Sequence, residues 1–238
     1  MPGRGRRVGA GGQGGGGEGA EAERGLAVVG GVQAVGKGWR TDGEQGRTSG
    51  GLQVHGGMGD NEETGAGEYF RDARITTIYE GTTGSQANDL IGRKLAREGG
   101  RTLKGLLTRI DSDARQLMDA RDPELSSIGD ALMRAVRALE DGADWQLAHS
   151  DAQPQDCAAG AVPFLRLAGT VIGGWLSARM AEAATAQLAA DSSDAGFLRA
   201  KRITASHYAT HILVEASALR DIVVHGAAST LALSDDQL

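Results

Sequence analysis

Residues 122–139 read DPELSSIGDALMRAVRAL, and this stretch decides the fold class. After Asp122 and Pro123, apolar residues recur at intervals of three and four positions: Ile128, Leu132, Ala135, Val136 and Leu139. That period places them on one face of a helix. The stretch therefore predicts an amphipathic α-helix that buries this face against other elements.

The same period appears on both sides of this stretch. An apolar face runs from Leu106 to Met118 before it, and another runs from Leu165 to Met180 after it. A last helix is expected from Ala195 to about His225, with Ser192-Ser193-Asp194 as its N-terminal cap. Several amphipathic helices joined by short loops predict an all-α fold, a helical bundle.

Shorter elements are expected between residues 50 and 100. Glu62 to Arg71 is consistent with a short helix, and the β-branched run from Arg74 to Tyr79 predicts extended backbone. A glycine-rich turn follows, and Ser85 or Asn88 is expected to cap a helix that ends before Gly99-Gly100.

Glycine divides the chain unevenly. Half of the 38 glycines lie in the first 51 of the 238 residues, where neither a helical nor a strand period is visible. Residues 1–48 are therefore predicted to be a low-complexity, mostly disordered leader, because so many glycines carry a large entropic cost of ordering. Residues 49–150 and 151–238 are predicted to form a helical domain and an additional C-terminal helical segment.

Charge and cysteine content narrow the functional classes. Residues 1–50 carry a net charge of +2 and the remainder −8, which argues against a nucleic-acid partner. The single cysteine, Cys157, suits a reducing compartment. The longest apolar run, Leu167 to Leu176, is shorter than the ~20 residues of a membrane span. The sequence thus predicts a cytoplasmic protein with no membrane span.

Two segments are the densest candidates for chemistry: 51–59, GLQVHGGMG, and 72–84, DARITTIYEGTTG. The glycines of the first allow a backbone to approach an anionic or planar ligand closely. In the second, Glu80 follows two apolar residues and precedes a glycine turn, so it is a candidate general base in apolar surroundings. The alternative is an ordinary corner between helices in which Glu80 is merely solvated.

These segments resemble the C-terminal domain of the acyl-CoA dehydrogenase family. The similarity rests on Q-x-x-G-G-x-G at 53–59 and R-D-A-R-I-x-x-I-Y-E-G-T at 71–82, with K-G-W-x-T at 37–41 upstream. Downstream runs at 84–94, 165–175, 197–201 and 208–213 are similar to the subgroup with an extra C-terminal helical segment. That subgroup includes the long-chain and methylmercaptopropionyl-CoA dehydrogenases.

The resemblance implies specific roles. Glu80 would take the α-proton of an acyl-CoA while a hydride leaves the β-carbon for FAD, and the backbone N–H of Glu80 would bind the thioester carbonyl. Gly81 would lie against the substrate, and Thr82 and Gly84 would contact FAD. The adenosine diphosphate end of FAD, often that of a neighbouring subunit, would be cradled by Gln53, Gly56 and Gly57. A homo-oligomer and an electron-transfer flavoprotein as acceptor are implied as well.

The chain also departs from the family pattern. Counterparts of the N-terminal helical domain and of the β-barrel that holds the flavin ring are not recognised in it. We therefore expect a C-terminal fragment of an acyl-CoA dehydrogenase that is inactive alone. The alternative is a non-catalytic helical remnant or oligomerisation domain.

Three smaller signals remain. His207, His211 and Glu215 share a helix face and are either a zinc site or a polar face; without a further ligand in view, no metal is predicted. Cys157 is expected to be a bystander thiol. The basic cluster, Arg93, Lys94, Arg97 and Arg101, complements either a helix dipole or a CoA phosphate.

Overall fold

The computed structural model describes residues 15–190 and 193–237, with side chains from residue 33 onward except at position 235. The first 14 residues of the predicted leader lie outside this range, as does Ser192 of the predicted cap. No strand occurs in the described ranges, and the chain forms a bundle of helices. The predicted all-α class is confirmed.

The helices follow one another with short connections. They are α1 (Gly15–His55), α2 (Ala66–Ile75), α3 (Thr83–Asn88), α4 (Arg101–Met118), α5 (Pro123–His149), α6 (Pro154–Ala159), α7 (Ala161–Ala189), α8 (Ala195–His207), α9 (Glu215–His225) and α10 (Ala227–Thr230). Two π-helical segments, Asp89–Ala96 and Tyr208–Ile212, continue α3 and α8, and 3₁₀ turns occupy Gly56–Asp60, Glu62–Thr64 and Asp235–Gln237. The glycine pair predicted to end the α3 segment does so, with positive φ at both Gly99 and Gly100.

The core lies where α5 and α7 pack against each other and against α4. Its largest fully buried side chains include Phe164, Ile128, Leu132 and Leu139. The face that residues 128–139 predict is therefore the face that α5 buries. The predicted boundary near residue 150 falls between these two packed helices, and the division into domains stays a prediction.

Helix α7 is apolar on nearly all sides because helices surround it. It is long and apolar enough to cross a membrane, with a mean hydropathy of 1.3. However, 67% of the apolar 18-residue window within α7 is buried inside the bundle, as is usual for the central helix of a folded domain. The length and composition of α7 alone are weak evidence for a membrane span.

The structure corrects the predicted leader between residues 15 and 48, which belong to the single helix α1. From residue 33 onward this helix packs on the bundle: Ala34 and Val35 are buried, and Trp39 lies against Gly169 and Gly173 of α7. Glycine lowers helix propensity, but tertiary packing of the apolar side chains overrides it here.

The predicted extended run from Arg74 to Tyr79 is wrong. Helix α2 continues to Ile75 and ends in turns. The hydroxyls of Thr76 and Thr77 donate back to the carbonyls of Ala73 and Arg74, at 2.7 and 3.0 Å. These β-branched residues therefore close a helix end, and no strand in the described part of the chain is available to pair with them.

Asp122 begins α5 as a capping residue. Its carboxylate accepts hydrogen bonds from the backbone N–H of Glu124 and of Leu125, at 2.9 and 3.3 Å. Arg202 of α8 forms ion pairs with the carboxylates of Asp122 and Glu124. Burial alone would raise the pKa of Asp122, but the two N–H donors and Arg202 outweigh it and lower that pKa. One carboxylate thus caps α5 and joins α8 to it.

We expect Gly169→Ala to destabilise the fold by about 1–3 kcal/mol, because the added methyl group overpacks the contact between α1 and α7. Its Cβ would lie 2.7 Å from the Cβ of Trp39, so the helices must move apart. Gly105→Ala is the matched control: it lies within α4 in open space and should raise stability by about 1 kcal/mol. Urea unfolding followed by circular dichroism measures both; equal stability of the two variants would contradict the close contact.

Candidate functional site

The turn between α2 and α3, residues 79–83, has an unusual backbone. Glu80 has φ 47°, and it is the one non-glycine residue with positive φ in the described ranges. Gly81 follows with φ 97°. Such angles cost free energy for side-chain-bearing residues, so the surrounding contacts must hold the turn in place. We call residues 79–83 the Glu80 turn.

Helix α1 supplies contacts to both ends of the Glu80 turn. Lys37 Nζ donates to the carbonyl oxygen of Tyr79 at 2.8 Å and also to that of Glu80, and it lies 5.2 Å from the centre of the Tyr79 ring. At the other end, Thr83 Oγ1 donates to Asp42 Oδ1 at 3.0 Å. Arg166 of α7 lies 3.6 Å from the second oxygen of Asp42. The turn is thus fixed to α1 at two points.

The downstream end of the Glu80 turn starts α3. Thr82 is the capping residue: its hydroxyl oxygen accepts from the backbone N–H of Ser85 at 3.2 Å. The expectation that Ser85 or Asn88 caps this helix is therefore wrong, because Thr82 stands at the correct distance before the first free N–H groups. Gly84 has ordinary helical φ, and an added Cβ there would meet only Thr82 Oγ1, at 3.9 Å.

Solvent reaches the carboxylate of Glu80. The residue is exposed, its two preceding neighbours Ile78 and Tyr79 are 52% and 48% exposed, and no side-chain hydrogen bond to Glu80 is present in the described part of the chain. The apolar surroundings expected for Glu80 are therefore not provided by residues 33–237. The preceding apolar residues lie on the surface beside it instead.

The other predicted segment lies at the far end of α1. Gln53 is exposed in its last turn, and Gly56 (φ 62°) and Gly57 begin the 3₁₀ turn that follows. An added Cβ at either glycine would meet nothing within 4 Å, so both backbones are open to an approaching group. Gln53 lies sixteen positions after Lys37 in α1, about 24 Å along the helix axis. The structure therefore places Glu80, Gly81, Thr82 and Gly84 in one group and Gln53, Gly56 and Gly57 in another.

Large apolar side chains are exposed around both groups. Those about half or more exposed on this part of the surface are Val54, Met58, Tyr69, Ile75, Ile78 and Tyr79. When such exposed apolar side chains form a contiguous patch, the patch usually marks a site of contact with another protein or a ligand.

The structure also shows the surroundings of the three remaining candidates, which are the histidine pair, the cysteine and the basic cluster. The rings of His207 and His211 stack with centroids 4.0 Å apart, and no group of three or more potential metal ligands occurs in the described ranges. Cys157 is buried, which raises the pKa of its thiol. In the basic cluster, Arg93 and Lys94 both bind Asp89 of the π-helical segment.

Sequence reasoning missed the role of Lys37 and of Asp42. Lys37 stood within the K-G-W-x-T run, but its hydrogen-bond partner lies 42 positions away in the chain. Neither composition nor periodicity encodes that pairing. The sequence indicated the site only through the family motifs at 53–59 and 71–82.

Comparison with known proteins agrees with this architecture. Residues 34–95 match the family model for the acyl-CoA dehydrogenase C-terminal domain, and residues 106–234 match the model described as acetyl-CoA dehydrogenase C-terminal like. The second match alone covers more than half of the chain. The protein belongs to the acyl-CoA dehydrogenase family.

Curated relatives point the same way. The chain is 45% identical to a 3-methylmercaptopropionyl-CoA dehydrogenase of Ruegeria pomeroyi over 71% of its own length and 28% of the relative's. It is 30% identical to a broad-specificity linear acyl-CoA dehydrogenase of Mycobacterium tuberculosis over 72% of the chain and 29% of the relative. A butyryl-CoA dehydrogenase of Syntrophomonas wolfei is 28% identical over 69% and 27%. The chain spans less than a third of the length of these relatives.

Gly81→Ala should destabilise the Glu80 turn by about 1–2 kcal/mol, because alanine strongly disfavours a φ of 97°. Its Cβ would also meet the amide of Gln86. Gly84→Ala, three positions on, is the control with ordinary φ and should be close to neutral. Thermal unfolding of both variants checks the difference, and a neutral Gly81→Ala would show that the turn is not held in this conformation.

Proposed function

We propose that this chain is the C-terminal part of an FAD-dependent acyl-CoA dehydrogenase, with Glu80 as the base that takes the α-proton of an acyl-CoA thioester. The observation that carries the proposal is the Glu80 turn. Its glutamate is exposed and has a strained backbone, and residues of α1 contact the turn at both ends. Strained backbone is characteristic of residues fixed for function. Family membership supplies the reaction class.

Glu80 and Gly81 have direct tasks in this reaction. The Glu80 carboxylate accepts the α-proton, while the backbone N–H of Glu80 donates to the thioester carbonyl oxygen, where negative charge develops as that proton leaves. Gly81 would lie against the thioester, and its φ of 97° is one that glycine adopts without strain. The acyl group is proposed to be linear, by analogy with relatives named for butyryl-CoA, linear acyl-CoA and 3-methylmercaptopropionyl-CoA.

The open glycines fit a bound dinucleotide. Gly56 and Gly57 leave their backbone free for close approach, and Gln53 adds an exposed amide side chain, so these three residues would hold the adenosine diphosphate end of FAD. Thr82 and Gly84 would contact FAD beside the Glu80 turn. When bound, FAD supplies the acceptor for the hydride that leaves the β-carbon.

A homo-oligomer belongs to the proposal because Gln53, at the end of α1, lies about 24 Å along the helix axis from Lys37, which contacts the Glu80 turn, so the two groups could serve different subunits. In this arrangement Gln53, Gly56 and Gly57 would bind the FAD of a neighbouring subunit. The exposed apolar side chains near them would lie at contacts with other protein surfaces. An electron-transfer flavoprotein as electron acceptor, a cytoplasmic location and the lack of a nucleic-acid partner or membrane span belong to the same proposal.

A non-catalytic helical or oligomerisation domain is the second candidate. The exposure of Glu80, beside the half-exposed Ile78 and Tyr79, favours it, because the described residues do not exclude water from the carboxylate. The two candidates differ in whether the Glu80 turn can activate a thioester at all.

The proposal predicts that the chain alone carries no stoichiometric flavin and does not dehydrogenate butyryl-CoA, because Glu80, Ile78 and Tyr79 stay open to solvent among the described residues. The visible absorbance spectrum of the purified protein, recorded before and after anaerobic addition of butyryl-CoA, measures this. A flavin band that butyryl-CoA bleaches would contradict the prediction of inactivity.

The proton-transfer step can be tested without dehydrogenation. With excess FAD and butyryl-CoA in D₂O, the wild-type chain should exchange the α-proton at least about tenfold faster than buffer, and Glu80→Gln should return the rate to that of buffer. Glu63→Gln, an exposed glutamate in the nearby 3₁₀ turn, is the matched control and should exchange at the wild-type rate. Mass spectrometry of the thioester gives all three rates; no exchange by the wild type would favour the non-catalytic candidate.

A further inference from the structure

The orientation of two peptide groups in the Glu80 turn follows from a single side chain. Lys37 Nζ donates to the carbonyl oxygens of Tyr79 and of Glu80. In a trans peptide the N–H of the next residue points opposite to the carbonyl, and no peptide bond in the described ranges is cis. The N–H groups of Glu80 and Gly81 therefore point away from α1.

Neither of these N–H groups has an acceptor among the described residues. They come from consecutive residues with positive φ, of which Glu80 is exposed and Gly81 is partly exposed. Consecutive free N–H groups that point to the same side bind anions or partially negative oxygens in many proteins. The turn thus presents a pair of ready donors beside the Glu80 carboxylate.

We infer that Lys37 is a positioning residue, which aims the N–H groups of Glu80 and Gly81 at the thioester carbonyl oxygen by holding the carbonyls of Tyr79 and Glu80. The inference rests on the proposed function for the identity of the ligand. The orientation itself rests on the contacts of Lys37 alone.

The chemistry of lysine suits this task. An ammonium group has three donors and no acceptor, so one side chain can serve two carbonyls. Its charge polarises both peptide groups, which makes their N–H groups stronger donors on the opposite side. The Tyr79 ring, 5.2 Å from Nζ, adds a cation–π contact that keeps the ammonium in place. Arg40, the next cation of α1, pairs with Glu44 instead.

Carbonyl chemical shifts test the orientation directly. In the isotope-labelled chain, Lys37→Met should move the ¹³C′ resonances of Tyr79 and Glu80 upfield, because both carbonyls lose a charged donor. Lys37→Arg should retain most of the downfield position. Arg40→Met, which removes a cation from the same helix, should leave both resonances in place. Unchanged carbonyl shifts in Lys37→Met would overturn the inference; if that variant does not fold, Lys37→Gln replaces it with the same expectation.

A thioester titration separates the inference from the proposed function. Butyryl-CoA should move the amide resonances of Glu80 and Gly81 downfield in the wild type but not in Lys37→Met, and free CoA should move neither. The α-proton exchange rate of Lys37→Met should fall about tenfold, with partial recovery in Lys37→Arg. If the carbonyls respond to Lys37→Met but the amides ignore butyryl-CoA, the thioester as ligand is wrong and the proposed function fails with it, while the orientation stands. If the amides respond equally in both proteins, the role of Lys37 is wrong and the proposed function survives.

Discussion

The position of α1 depends on one close contact between helices. Trp39 lies against Gly169 and Gly173 of α7, and the side chain of Leu165 occupies the space that a side chain at Gly38 would need. Lys37 comes two residues before Trp39, and Asp42 three residues after it. Because both residues hold the Glu80 turn, the geometry of that turn follows from how closely α1 approaches α7. Larger residues at these glycines would move the helix and its two anchors together.

Much of the fold could be predicted from the sequence, for a physical reason. A helix that packs on one side and faces water on the other must carry apolar residues with a period near 3.6, and α4 and α5 do so clearly. Asp followed by Pro is a common way for a helix to begin, and Asp122 caps α5 with Pro123 as its first residue. The same period from Leu165 to Met180 predicts the central helix α7.

Two of the wrong predictions, the leader and the extended run, arose where tertiary contacts or local side-chain hydrogen bonds override local preference, and the cap of α3 was wrong because Thr82 holds that position. Glycine-rich residues 15–48 were predicted to be disordered, yet the part from residue 33 onward packs through Ala34, Val35 and Trp39. The threonines after Ile75 favour strands, but here their hydroxyls close a helix end. In the site, the motif located Glu80, whereas the contacts of Lys37 and Asp42 span more than 40 positions and cannot be inferred from local sequence.

The structure also separates two requirements of a general base, orientation and desolvation. Orientation is built into this chain, since Lys37, Asp42 and Thr82 fix the turn that carries Glu80. Desolvation is not provided by residues 33–237, because Glu80, Ile78 and Tyr79 are all exposed. A carboxylate gains strength as a base when water is excluded from it. In the proposed reaction, a second protein surface or the thioester itself must therefore cover the turn, and the exposed apolar side chains beside Glu80 are where that surface would lie.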